Sequence, residues 1–260
     1  MSAPASLPSV LAVYAHPDDE SLVAGGTLAR LAAAGARTAV VTATWAPDSP
    51  RAAELADALR ILGAGEPRML GYADLRVPGS APGRARFRDA PLDETVEAVV
   101  AHIRSFRPDI VLSHDASGSS GHPDHVHTHR VTLLAAHAAG NGDLHPDAGP
   151  PWQPRALYLS AHPREASSEL SALLAGAGKR LYTVPDHLAT AVDVHPWVER
   201  KWAAVLAHRS EAARHPSLPS LLAGLPVAAR ERILGTEWFL RFGLGSGGPR
   251  VSGPRGAGPG

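Results

Sequence analysis

Cysteine is absent from this 260-residue chain, which excludes disulfides, a thiol nucleophile and any thiolate metal site. Compartment is therefore not set by redox chemistry. Net charge is missing too: 25 Lys and Arg offset 25 Asp and Glu, and neither sign clusters along the chain. No broad electrostatic face for nucleic acid or anionic lipid is expected. No segment reaches the roughly 18–20 apolar residues of a membrane span. Residues 1–9 also lack the basic stretch and apolar core of a signal peptide. The expectation is a soluble, cytoplasmic protein with no nucleic-acid or membrane partner. Phe and Tyr are scarce, four of each, against fourteen His. With cysteine gone, a metal site here would be built from nitrogen and oxygen donors.

The length suffices for one large α/β domain with a substantial core, and nothing in the middle reads as a linker. We expect that domain to span residues 10–242. Residues 1–9 and the Gly/Pro-rich tail 243–260 are expected to be disordered. Residues 10–15 (VLAVYA) form an apolar run suited to a central parallel strand. Leu22, Leu28 and Leu31 then recur at helical spacing up to a stop at Gly35. Gly25 and Gly26 cost that helix about 1 kcal/mol each, which points to close backbone packing. Strands are expected at 38–44, 68–72, 109–113, 156–161, 191–194 and 236–242. Helices are expected at 51–62, capped by Asp48 or Ser49, at 92–106, at 125–139 and at 197–213. The alternation favours a Rossmann-like, three-layer α/β sandwich with a mostly parallel sheet. Ligands of such sheets bind beyond the carboxyl ends of the strands, near a switch point.

Two polar clusters follow strand-like runs. The first is Ala15-His16-Pro17-Asp18-Asp19-Glu20, and the second is Gly121-His122-Pro123-Asp124-His125. Taken singly, the first reads as a helix N-cap with acidic first-turn residues, the second as a capped surface turn. Two such clusters at equivalent sheet positions favour one shared site instead. A catalytic zinc takes three protein ligands and leaves a position for water. His16 and one of Asp18 or Asp19 can supply two of them, and His125 or His122 the third. Successive side chains diverge, so the other carboxylate stays free for general-base work on a water of lowered pKa. The other histidine faces the reacting group, and Asp124 or Asp115 could raise its pKa and keep it an acid.

At these residues, with Gly25-Gly26, the chain resembles the LmbE/PIG-L family of metal-dependent de-N-acetylases. That family includes N-acetylglucosaminylphosphatidylinositol deacetylases and the deacetylases and amidases of mycothiol and bacillithiol metabolism. A weaker third match is residues 201–210 (KWAAVLAHRS). The resemblance implies Zn2+, or another divalent transition metal such as Fe2+, held by His16, Asp19 and His125. It implies Asp18 as general base, and His122 as acid and electrostatic partner of the tetrahedral intermediate. Arg51, Asp74, Ser120 and His208 match substrate-side positions. The partner it implies is a small amino-sugar molecule, from which an N-acyl group, acetyl above all, is hydrolysed; homo-oligomerisation is left open.

Two departures stand out. Mycothiol-type members carry tyrosine where this chain has Ser120, and Glu211 replaces a usual glutamine. A thiol-conjugate amidase or a natural-product tailoring deacetylase is the alternative enzyme. A non-catalytic metal- or sugar-binding protein is the alternative class, against which an intact Asp18 and His122 weigh.

Overall fold

The computed structural model of the protein describes residues 7–244. Residues 1–6 and 245–260, most of the two termini expected to be disordered, lie outside the described residues. Ser9, assigned to the disordered N-terminus, is instead buried and exchanges hydrogen bonds with Asp109, its N–H donating to Oδ2 at 2.9 Å. Leu244 likewise donates to the Arg155 carbonyl.

In chain order the elements begin with β1 (Val10–Tyr14), α1 (Asp19–Ala33), β2 (Thr38–Thr44), α2 (Pro50–Leu62), β3 (Arg68–Tyr72) and α3 (Leu92–Phe106). Then come β4 (Ile110–His114), α4 (Gly118–Gly121), α5 (Pro123–Ala138), β5 (Ala156–Ser160), α6 (Ser168–Gly176) and β6 (Thr190–Asp193). The last are α7 (Val198–Ala207), α8 (Arg209–Ala213), α9 (Leu218–Ala223), α10 (Val227–Leu234) and β7 (Thr236–Gly243). The sheet order is β3-β2-β1-β4-β5-β7-β6. Every pairing from β3 to β5 is parallel, whereas β7 runs antiparallel to both neighbours. This is the expected three-layer sandwich.

Period-two alternation explains the layers. Leu11 and Val13 of β1 pack with Val99, Ile103 and Val131 of α3 and α5. Val10, Ala12 and Tyr14 pack on the opposite face with Leu28, Leu55 and Ala204 of α1, α2 and α7. A small third cluster joins Val198, Leu222 and Leu234 across α7, α9 and α10.

Local chemistry sets the helix ends that matter. Ser49 caps α2, with Pro50 in the first turn and Gly63 left-handed at the close. The expected helix over 197–213 is two helices, because the backbone turns out of helix at His208 (ψ 65°). Gly26 permits a close approach in the core. A Cβ there would lie 2.5 Å from Val194, so the contact admits only glycine as packed. Beside it Glu237 accepts the Gly26 and Thr27 N–H groups at 2.8 Å each and Lys201 Nζ at 2.7 Å, clamping α1, α7 and β7 together.

The chain leaves β1 for β2 and β3 on one side, then returns to β4 on the other. The switch point therefore lies between the carboxyl ends of β1 and β4. Residues 15–19 and 114–118 emerge there.

Candidate active site

The turn after β1 folds back on itself. Asp18 occupies the N-cap position of α1 but makes no capping bond, so the cap reading fails. Its φ is 140°, a conformation that costs a non-glycine residue about 1–3 kcal/mol and marks sites of constraint. Glu20 Oε2 holds it there by accepting the Asp18 N–H at 3.1 Å. Glu20 is itself fixed by His208 Nε2 at 2.8 Å and by the Ser21 hydroxyl, all three residues fully buried. Asp19 points the other way, its Oδ2 accepting the His16 N–H at 2.8 Å.

These constraints bring the side chains of His16, Asp19 and His125 together. His16 Nδ1 lies 3.0 Å from His125 Nε2 and 3.4 Å from Asp19 Oδ2, and His125 Nε2 lies 3.3 Å from Asp19 Oδ1. Tetrahedral metal bonds of about 2.0–2.1 Å would put donor atoms about 3.3–3.4 Å apart. The tautomers fit as well. His125 Nδ1–H donates to the Gly118 carbonyl at 3.0 Å, which frees Nε2. His16 Nε2 faces Asp74 Oδ2 at 3.2 Å and Asp124 Oδ2 at 3.3 Å, while its Nδ1 is turned to His125 and Asp19. A carboxylate behind a ligand imidazole is the usual support of a metal-bound histidine. The sets of these side chains whose donor atoms all lie within 4.8 Å of one another are His16, His122 and His125; His16, Asp74, His122 and Asp124; and Asp19, His114 and His125. Within the last of these, His114 Nε2 already meets the Ala15 N–H and Asp19, each at 3.3 Å. Its ring stacks flat on His125 at 4.1 Å. This cluster of His and Asp side chains could hold a divalent cation.

Charge follows geometry. Burial works against the Asp19 carboxylate, yet hydrogen bonds with His114 and His16 hold it well below the usual range. Burial, with the neighbouring histidines, keeps His125 neutral, as a ligand must be. Asp18 is different. Burial pushes it up to about 7, against the pull of Arg51 and with the push of Asp19. Arg51 Nη2 lies 3.2 Å from Asp18 Oδ1 and also reaches the Pro17 carbonyl. Its Nη1 binds Glu211 at 2.9 Å, and its guanidinium stacks on Trp45. Arg51, expected on the substrate side, is thus a buried support for Asp18 that also lines the cavity.

Four further expectations need correction. Asp124 does not hydrogen-bond His122: its Oδ2 supports His16 and stands 3.9 Å from His122 Nδ1, which accepts the Asp124 N–H instead. Asp115 is spent on Ser117 and the Ser119 N–H. Without a carboxylate partner, burial, His16 and Arg76 lower His122 to about 4, so it is neutral, not a standing acid. His208 is walled off beneath Glu20 and does not line the cavity. Asp74 does line it, but one oxygen backs His16 and the other takes the Arg76 and Val77 N–H groups. Ser120 is exposed at the mouth. Glu20 and Glu211 are site residues to which sequence reasoning assigned no role. Glu20 sat in the motif itself, its purpose hidden until His208 arrived from 188 residues away.

The whole opens into a cavity of about 890 Å³ that holds Asp18, Asp19, His16, His122 and His125 at one end. A family model described as "GlcNAc-PI de-N-acetylase" (PIG-L) matches residues 11–136. The 1D-myo-inositol 2-acetamido-2-deoxy-alpha-D-glucopyranoside deacetylase of Rhodococcus jostii is 36% identical over 249 residues, covering 80% of this chain and 83% of that protein.

The chain belongs to the PIG-L family.

Two solved structures share its fold. The N,N'-diacetylchitobiose deacetylase of Pyrococcus horikoshii aligns over 91% of this chain and 84% of its own, with 20% identity and a TM-score of 0.63. The 4-carboxy-2-hydroxymuconate hydratase of Pseudomonas putida aligns over 96% and 100%, with 20% identity and a TM-score of 0.56. The PIG-L scaffold thus also carries a hydratase, so the reaction must be argued from the site and not from the sheet.

Proposed function

We propose that this protein is a metal-dependent hydrolase that removes an acetyl group from the amine of an N-acetylated amino-sugar compound. The observation that carries the reading is the triangle of His16 Nδ1, Asp19 and His125 Nε2 with a second, unligated carboxylate, Asp18, on the same cavity. The names of relatives support the substrate class: the Rhodococcus jostii protein acts on an inositol 2-acetamido-2-deoxyglucoside.

When bound by these three residues, zinc or a similar divalent ion supplies Lewis-acid polarisation and a water of lowered pKa. Asp18 takes the proton of the attacking water. A carboxyl poised near 7 can hold that proton and release it to the departing amine, so one residue serves both transfers. His122 accepts the Asp124 N–H at Nδ1, which leaves its proton on Nε2. From there the neutral ring donates to the oxyanion of the tetrahedral intermediate, the electrostatic half of the role expected from sequence. Arg51 and Glu20 keep Asp18 in place and ionisable.

The test is amine release from a panel of N-acetylglucosaminides, paired with metal analysis. The wild-type protein should lose activity on chelation and regain it with added metal. Asp18→Asn should lower kcat by about 10²–10⁴-fold, the range for a general base, with metal content unchanged. Wild-type turnover in that variant would remove Asp18 from the mechanism.

A further inference from the structure

Residues 201–210, the weaker third match in the sequence, bring His208 under the first motif. The backbone leaves helix at His208, between α7 and α8, and the ring turns inward with no exposed surface. All of its side-chain hydrogen bonds lie on the Glu20 side. Nε2 meets Glu20 Oε1 at 2.8 Å and the Ser21 hydroxyl at 3.5 Å, and Nδ1 has no partner among the described residues. A buried polar atom left unpaired is a cost to the fold.

With one oxygen so anchored, Glu20 gives the other, Oε2, to the Asp18 N–H at 3.1 Å. A first-turn carboxylate that reaches back to the N-cap amide is half of a capping box. Here the other half is missing, because the Asp18 side chain makes no capping bond. Its φ of 140° is also far from the extended backbone of an ordinary N-cap. Arg51 pairs with the carboxylate itself at 3.2 Å, but the backbone conformation that aims it is held by Glu20. The buried pair serves Asp18 and not the helix.

Asp18 needs holding because of what lies beside it. Asp18 and Asp19 are consecutive carboxylates on one cavity, and Asp19 is the one turned to His16 and His125. A catalytic metal keeps a position open for water, whereas a site closed by protein ligands is a structural one. A released Asp18 would have two places to go. The helix N-terminus offers it about half an elementary charge and a divalent cation offers two, so the cation wins. We infer that the buried Glu20–His208 pair holds the Asp18 carboxylate off the metal, keeping one coordination position open. This role rests on the metal-site reading above and adds two positioning residues that touch neither metal nor substrate.

Cobalt(II) loaded in place of the native metal gives a visible spectrum that reports its ligands, with no substrate needed. In the wild-type protein, added azide should enter the open position and shift the bands. The test variant is Glu20→Met/His208→Leu, in which apolar side chains of similar size replace both buried partners. Such a change is close to neutral for folding, and Glu20→Met alone serves if the double variant does not fold. The variant's cobalt spectrum should differ from wild type and no longer respond to azide. Cobalt should also bind about tenfold or more tighter, the low end of what a side chain near a metal is worth. Adding Asp18→Asn should restore the azide response and cancel the gain in affinity. Glu20→Gln, whose amide oxygen can still accept the Asp18 N–H, should keep the wild-type spectrum. A merely structural role predicts instead that cobalt binds more weakly while azide still enters. That result, or a gain in affinity that survives Asp18→Asn, would overturn the inference and leave the metal site standing. A wild-type protein that takes up no cobalt would sink the metal site and this role with it.

Discussion

Asp18 enters a buried pocket in a backbone conformation that side chains avoid, and three neighbours keep it there. Of the charged groups around it, Arg51 acts most strongly on its charge. Removing that cation in Arg51→Met should raise the Asp18 pKa further, since an adjacent opposite charge lowers a carboxylate by about 1–3 units. The acid limb of kcat/KM should therefore move to higher pH, by about one unit or more on the same principle; a limb that stays in place would mean that Arg51 does not tune Asp18. His208 acts through Glu20. Burial opposes its protonation, but Glu20 wins and raises it above the ordinary imidazole value. A raised folded-state pKa gives stability that is fully present below the unfolded value of about 6.5 and fades as pH climbs through the folded one. The Tm gap between wild type and His208→Gln should be widest near pH 5.5–6 and close at alkaline pH. A gap that widens with pH would refute the ion pair.

Among the elements, α1 matters most because it holds the first motif at one end and packs through glycine at the other. Gly26 seats the helix on Val194, and Glu237 ties the same turn to α7 and β7 through Lys201. Gly26→Ala gains helix propensity, about 1 kcal/mol. Against this stands a methyl group only 2.5 Å from Val194 Cβ, and overpacking of a tight core costs about 1–3 kcal/mol. The clash should win, so urea denaturation should report net destabilisation, and a more stable variant would show that the contact relaxes freely. A second tie has no counterpart in the sequence pattern. Arg104, fully buried on α3, donates to carbonyls of Ala138, Ala139, Asn141, Leu144, His145 and Gly149, gathering the end of α5 and the loop beyond it.

At the scale of the molecule, the sheet order sets the site's position and its charge sets what must fill it. The β1/β4 switch point collects Asp19, Asp74 and Asp124 around His16 and its neighbours, with burial on every side. Buried negative charge in excess is costly unless a cation joins it. A bound divalent metal should therefore stabilise the fold by mass action, about 2.7 kcal/mol at a hundredfold excess over Kd. For a chain of this size that is a Tm rise of roughly 5–10 °C. Thermal scans of chelated and metal-loaded protein check it, and superimposable curves would argue against a site in the folded state. No described helix is long and apolar enough to cross a membrane.

The order of the strands' burial, the caps at Ser49 and Gly63, and the two clusters that meet were all legible in the sequence, because each rests on spacing within a few residues of chain. The broken helix at His208 was not legible, nor was the reversed β7, nor the helices α6, α9 and α10. Short segments with little periodicity take their form from what they pack against. The same limit applies inside the site. Which carboxylate supports His16 and what Glu20 is for depend on contacts between residues 108 and 188 positions apart. Only the folded chain brings those atoms within reach of a hydrogen bond, and only burial there turns their proximity into chemistry.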